Sequence, residues 1–280
     1  MKIGILTSVE TRHRFVVNAL RERLPVVAVG YQQTGYAPAR VGVDDLTPAE
    51  AKIVADHFAE RSRQEQLFFG AKSDFVMDEA TCAVRHLSSA TLNTEATIKF
   101  LESAGVDTVV VHGTNLMKPP LLGHWPNRMI NLHLGLSPYY RGTATNFYPL
   151  LNEEPEYVGA TIHLLDAGID SGPILRHARP RIVANDQPHT IGCQAILAGV
   201  EALFVVLDEL EQGRLHPVPQ WPVPNARLYL RKDYHPRQVV ELYRKLDAGL
   251  IPRYVERASR AAKRIRLVEA PSSAGRTQKV

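Results

Sequence analysis

KIGILTSVETRHRFVVNALRERLPVVAVG, residues 2–30, decides the fold class. Its first run, Lys2 to Thr7, is apolar and has the length of a buried strand. After a polar break, Phe15, Val16, Ala19, Leu20 and Leu24 recur at helical spacing. Pro25 stops that helix, and VVAVG, ending at Gly30, is a second apolar run. Strand, helix and strand in this order open an α/β sheet whose neighbouring strands run parallel.

Outward from this unit the alternation continues. Pro48 suits the first turn of a helix running to about Phe69, and residues 94–104 are helical. Strands are expected at 106–111 (VDTVVV), 129–133, 159–165 and 172–182. Residues 190–210 place Ile196, Val200, Leu203, Phe204, Leu207 and Leu210 on one face of a long helix that closes the core. Gly213 and HPVPQWPVPN (216–225) read as a linker, because four prolines in ten residues forbid helix and central strand. Two further helices follow, over roughly 235–249 and 253–267. The expected architecture is a Rossmann-like, open, mostly parallel sheet with a small, mainly helical C-terminal appendage. Residues 1–213 would form the catalytic domain, and 214–280 a Pro-rich linker with a basic appendage.

The composition is that of an ordinary globular chain, with 45% hydrophobic and 22% charged residues in 280. No run reaches the roughly 18 consecutive apolar residues of a membrane span. The opening MKIGILTSVETRHR is broken by Glu10, Arg12 and Arg14, unlike a signal peptide, so a cytoplasmic location is expected. Cys82 and Cys193 have no close Cys or His at metal spacing and read as small buried hydrophobes; no metal is expected. The net charge of +4 conceals an asymmetry. Residues 214–280 carry 15 Lys and Arg against 5 Asp and Glu, whereas residues 1–213 carry 18 against 24.

The chemistry concentrates in NLHLGLSPYYRG (131–142), which follows directly on a strand. Ligands of open α/β sheets bind beyond the carboxyl ends of strands, and the two-residue period sends Asn131 and His133 to one face. By themselves they could be a catalytic pair or a satisfied hydrogen-bonding pair. GATIHLLDAGIDSGPIL (159–175) then supplies an Asp- and Gly-rich loop between two strands.

Together these stretches resemble the folate-dependent formyltransferases, the family of glycinamide ribonucleotide, methionyl-tRNA and sugar-nucleotide transformylases. The family's Asn-x-His, later Pro and Arg-Gly are matched by Asn131, His133, Pro138, Arg141 and Gly142. Its D-x-G-x-D-x-G loop is matched by Asp166, Gly168, Asp170 and Gly172. Two departures stand out: Gly135-Leu136-Ser137-Pro138 replaces the usual Ser-Leu-Leu-Pro, and the first loop, TSVETRHR, has no phosphate-cradling glycine.

The resemblance implies a sheet of the formyltransferase type and transfer of a formyl group from 10-formyltetrahydrofolate to an amine. Asn131, His133 and Asp170 would be catalytic and His163 supporting. The donor would lie along residues 111–122, with Gly113, Asn115, Leu116 and Met117, and against the loop Leu165, Asp166, Ala167, Gly168 and Ile169. Asp166 also reads as a cap of its own loop. Tyr139, Tyr140 and Arg141 would face the acceptor, although the tyrosines could equally be packing residues; apart from the resemblance, Arg12 and Arg14 in the first loop could bind an anionic acceptor or simply be solvated. A small-molecule amine, such as an amino-sugar nucleotide or biosynthetic intermediate, is the expected acceptor. Hydrolysis of the donor and a tRNA-borne acceptor are the alternatives. Nucleic acid is not the expected partner of the basic appendage, whose apolar residues Val239, Leu242, Tyr243, Leu246 and Ile251 call for the core or for a second subunit in a homodimer.

Overall fold

A computed structural model describes residues 1–33, 45–76 and 80–269. The opening unit is β1 (Ile3–Ser8), α1 (Thr11–Arg23) and β2 (Val26–Gln32). Every β1 residue is buried, as expected of a strand covered on both faces. Next come α2 (Pro48–Phe69), β3 (Ala83–Leu87), α3 (Glu95–Ser103), β4 (Thr108–His112) and the single turn α4 (Leu121–His124). Thr47 and Glu50 close a capping box at the start of α2, with Pro48 in its first turn. Then follow β5 (Met129–His133), β6 (Tyr140–Gly142), α5 (Tyr148–Leu151), β7 (Ala160–Leu164), β8 (Ile174–Ala178) and α6 (Pro188–Glu211).

Seven strands form one sheet in the order β3-β2-β1-β4-β5-β7-β8. It is parallel from β3 to β5, and β7 and β8 are added antiparallel. The chain moves from β1 to one edge and then returns to β4 and the other edge, so the order reverses between β1 and β4. Such a reversal opens a crevice at the strands' carboxyl ends.

By length and composition α6 could cross a membrane, but its Ile196, Val200, Leu203 and Leu207 are buried in the core that covers one face of the sheet. Cys82 and Cys193 are both buried thiols outside any disulfide among the described residues.

The C-terminal region consists of β9 (Arg227–Tyr229), α7 (Pro236–Asp247) and α8 (Leu250–Ala262). It is packed into the rest of the fold. β9 pairs in parallel with β6, α7 packs against α2, and Leu242, Leu250, Ile251 and Ile265 share a core with Tyr139, Tyr140, Tyr148 and Leu150. The apolar faces that called for a partner therefore find it within the same chain. The proline-rich run is also fastened: Val218 pairs with Ile174, and the Trp221 ring stacks under Arg266 at 4.2 Å. Leu242 is fully buried, so Leu242→Ala should cost about 2–5 kcal/mol, read as a lowered urea midpoint with an unchanged slope. A loss under about 0.5 kcal/mol would mean that the appendage is not part of the cooperative core.

Candidate active site

The crevice between β1 and β4 widens into a cleft of about 840 Å³, lined by the ends of β4 and β5, by the 165–170 loop and by residues of α1, α2 and α6. Asn131 and His133 leave β5 side by side. In the antiparallel pairing, Asn131 stands opposite His163 of β7. The loop after β7 then returns Asp170 to the same point.

Four polar side chains meet there. Asn131 Nδ2 donates to Asp170 Oδ1 at 3.2 Å and lies 3.1 Å from His163 Nε2. His163 is fully buried, and its Nδ1 lies 2.8 Å from the Leu164 carbonyl. A carbonyl only accepts, so Nδ1 carries a proton, while Nε2 faces both Asn131 Nδ2 and, at 3.5 Å, Asp170 Oδ1. His133 Nδ1 is 3.4 Å from Asp170 Oδ2, and its Nε2 is 3.3 Å from the Tyr140 carbonyl. Asp170 Oδ2 also accepts from the Gly142 amide at 2.9 Å.

Asp170 has a positive φ of 48°, a conformation that needs support from its surroundings. Gln220, in the proline-rich run, provides it: its Nε2 donates to the carbonyls of Asp170 at 2.7 Å and Gly172 at 3.0 Å. Gly172 is required by space, since a Cβ there would sit 1.8 Å from the Leu164 carbonyl oxygen. Gly142 is required twice over, by its φ of 95° and by the Tyr229 carbonyl 1.9 Å from where a Cβ would be.

The electrostatics separate the two principal groups. Burial by itself would raise the Asp170 pKa, but His133, His163 and the Gly142 amide outweigh it and hold the carboxyl at about 2. His133 is lowered by burial, and the attraction of Asp170 only partly restores it. The resting pair is therefore a carboxylate beside a neutral imidazole.

A sequence model of the family described as formyl transferase matches residues 46–207, more than half of the chain. The chain belongs to the formyl transferase family. Among curated relatives, a methionyl-tRNA formyltransferase of Synechococcus is 36% identical over 121 residues, 43% of this chain and 37% of the relative. That of Acidithiobacillus ferrooxidans is 34% identical over 126 residues, 45% of this chain and 40% of the relative. The chain thus matches well under half the length of these relatives. Among solved structures, a Shewanella sugar N-formyltransferase superposes with a TM-score of 0.54 at 16% identity, covering 88% of each chain. A phosphoribosylglycinamide formyltransferase of Anaplasma phagocytophilum gives 0.53 at 14% identity, covering 82% of this chain and 97% of the other. These superpositions establish a shared fold.

Within this formyl transferase fold, Gly113, Asn115, Leu116 and Met117 line the cleft on one side of the β5 end, as do Leu165, Asp166, Gly168 and Ile169. Gln32 Oε1 accepts from the Asn115 amide at 2.8 Å and Asn93 Oδ1 from the Lys118 amide at 2.7 Å, which fixes the 113–118 loop. Ala167 is exposed and does not line the cleft. Asp166 accepts from Gly168 N at 3.0 Å and Ser171 Oγ at 2.8 Å, within its own loop.

The residues expected at the acceptor side divide. Arg12 lines the cleft, ion-paired with Glu10 and Glu65. Tyr139, Tyr140 and Arg141 do not line it. Tyr139 OH donates to the Arg266 carbonyl at 3.0 Å, and Tyr140 OH bonds with Glu154, Asn152 and Arg227. The backbone at 138–142 turns both rings into the aromatic cluster with Tyr157, Tyr229 and Trp221, so these tyrosines are packing residues.

Sequence reading missed Thr145, whose Oγ1 is 3.5 Å from His133 Nε2, and Gln220. It also missed the cleft-lining histidines His13, His57, His112 and His189. No local pattern marks them, because distant segments bring them together.

Proposed function

We propose that this chain transfers a formyl group from 10-formyltetrahydrofolate to the amine of a small acceptor. The observation that carries the proposal is the meeting of Asn131, His133 and Asp170 at one end of a cleft whose other side offers Val111, Leu116, Met117, Leu165 and Ile169. An apolar slot with fixed backbone groups suits a pterin ring. As the neutral amine attacks, a C–N bond forms and the carbonyl oxygen becomes negative. Asn131 Nδ2 and His133 Nε2 supply hydrogen bonds to that oxygen, exchanging their long contacts to Asp170 and to the Tyr140 carbonyl. One such donor is worth roughly 2.7–4 kcal/mol in other acyl-transfer sites. Asp170 favours the charged imidazole as the amine's proton passes to the departing folate nitrogen.

The test is turnover of 10-formyltetrahydrofolate with a panel of amines, followed as tetrahydrofolate release and as formylated product. Tetrahydrofolate with formate and no formylated amine at any acceptor would replace transfer by hydrolysis. Asn131 and His133 polarise the carbonyl in this scheme, so EDTA should leave the rate unchanged. A loss restored by zinc or magnesium would overturn it.

The relatives' names and the basic region 214–280 favour a tRNA-borne amine as a second reading. Against it, many of those cations already face acidic partners: Arg227 pairs with Glu154, Arg257 with Glu156, and Lys245 and Arg253 with Glu153. A tRNA acceptor would give affinity falling with salt, with a log–log slope of about −0.9 per duplex phosphate neutralised. The small-acceptor reading expects no RNA binding at physiological ionic strength.

A further inference from the structure

Beyond the Asn131–His133–Asp170 cluster the cleft continues between α1, α2 and α6, into a region that the formyl-transfer scheme does not use. Two buried imidazoles line it. His112 is 2% exposed, and its Nδ1 lies 2.8 Å from the Leu132 carbonyl, so Nδ1 carries the proton and Nε2 the lone pair. That Nε2 is buried without a hydrogen-bond partner among the described residues. His189, 8% exposed, also has a buried, unpartnered Nε2 among the described residues, and its ring packs on His57 with centroids 4.4 Å apart. Burial lowers both to about 4, so both are neutral in the physiological range. A buried polar nitrogen left unpaired costs free energy; the His112 lone pair calls for a ligand O–H or N–H, and the His189 Nε2 for a hydroxyl, which can donate or accept.

The charged residues of the same region point the same way. Arg12 Nη1 donates to Glu65 Oε1 at 2.7 Å and Arg12 also pairs with Glu10, so its charge is answered within the protein. Glu65 is 8% exposed. His13 packs edge-on against His112 with ring centroids 4.9 Å apart, and its Nδ1 is 3.4 Å from Glu10. A phosphate here would meet the His112 lone pair, two carboxylates and two arginines, Arg12 and Arg61, that both already face Glu65. A hydroxyl would meet buried nitrogens that lack a partner among the described residues.

Building on the formyl-transfer reading, we propose that the His112–His189 region is the acceptor subsite and that it selects an uncharged, hydroxyl-bearing amine against a phosphorylated one.

The probes are glucosamine and glucosamine 6-phosphate, two amines of one skeleton differing by the phosphate, tested on the full chain saturated with tetrahydrofolate. Glucosamine should raise the melting midpoint and shift the ¹⁵N resonances of His112 and His189 Nε2, whereas inorganic phosphate should shift neither. With 10-formyltetrahydrofolate as donor, kcat/KM should favour glucosamine over its phosphate by about tenfold, the scale of one or two hydrogen bonds. His189→Phe, on α6 and away from the donor-lining segment 111–122, should raise KM for glucosamine without changing the affinity for tetrahydrofolate. Glu65→Gln, which removes one of the two carboxylates on Arg12, should narrow the preference; this second variant keeps the test decisive if His189→Phe does not fold. Equal or better use of the phosphorylated amine by the wild-type chain overturns the proposal, as does no response to glucosamine in a chain that binds tetrahydrofolate. Failure to bind tetrahydrofolate is a different outcome, which would remove the formyl-transfer reading itself.

Discussion

Replacing Asp170 by Asn should lower formyl-transfer turnover by about 10²- to 10⁴-fold while leaving the fold in place. Asn keeps an oxygen for the Gly142 amide and tolerates the positive φ that Asp170 adopts, so the loop has reason to keep its shape. What disappears is the negative charge 3.4 Å from His133. That charge, with the Tyr140 carbonyl, raises the His133 pKa against its burial, so without it the imidazolium becomes harder to form when a proton must move. Because Asp170 is held at about 2, its charge persists throughout the neutral range, and no acid limb of the wild-type pH–rate profile above about pH 3 should belong to it. Steady-state kinetics and a melting curve on the same preparation check both halves. Turnover within threefold of wild type would remove Asp170 from the chemistry.

Acidification should unfold the protein well above the pH at which its carboxylates titrate. Four buried histidines are held neutral: burial lowers His57 to about 3 and His112, His177 and His189 to about 4. In the unfolded chain each would titrate near 6.5. Below that pH the unfolded state binds protons that the folded state refuses, so stability is lost as pH falls from about 6.5 toward about 4. Each histidine contributes up to roughly 1.4 kcal/mol per pH unit in this window, and four together rival the 5–15 kcal/mol of a whole domain. The urea midpoint should therefore fall steeply between pH 6.5 and pH 5. His177 offers a local check. Its Nδ1 accepts from the Val268 amide at 2.9 Å and its Nε2 lies 2.8 Å from the Ser137 carbonyl, so a second proton would break the bond to Val268. A midpoint flat from pH 7 to pH 5 would show that these imidazoles become protonated inside the fold.

The fold was legible where a strand is buried on both faces or a helix has a clear start, as at Ile3–Ser8, Met129–His133 and the helix opened by Pro48. It was not legible at Ala83–Leu87, an edge strand whose Arg85 and His86 are exposed, so that neither a continuous apolar run nor a clean alternation marks it. The three-residue pairing of Tyr140–Gly142 with Arg227–Tyr229 is also invisible, because its partner lies far along the chain. In the site, Asn131 and His133 could be read because a two-residue period puts them on one face. For Tyr139 and Tyr140 the sequence does not choose between acceptor contact and packing, because nearness to a motif says nothing about direction; here the cluster around Trp221 and Tyr229 takes both rings. The proline-rich run was read as a spacer since prolines exclude regular structure, yet exclusion from helix and strand leaves side chains such as Gln220 free to bond elsewhere.

The Gln220 contact gives residues 214–226 a mechanical character. They work as a latch whose bolt is one amide group seated on the carbonyls that shape the Asp170 turn. A protease cut or a flexible insertion in this stretch would leave Asn131 and His133 on their strand and let the Asp170 turn swing. Chain continuity here therefore bears on the position of a carboxylate fifty residues away in sequence.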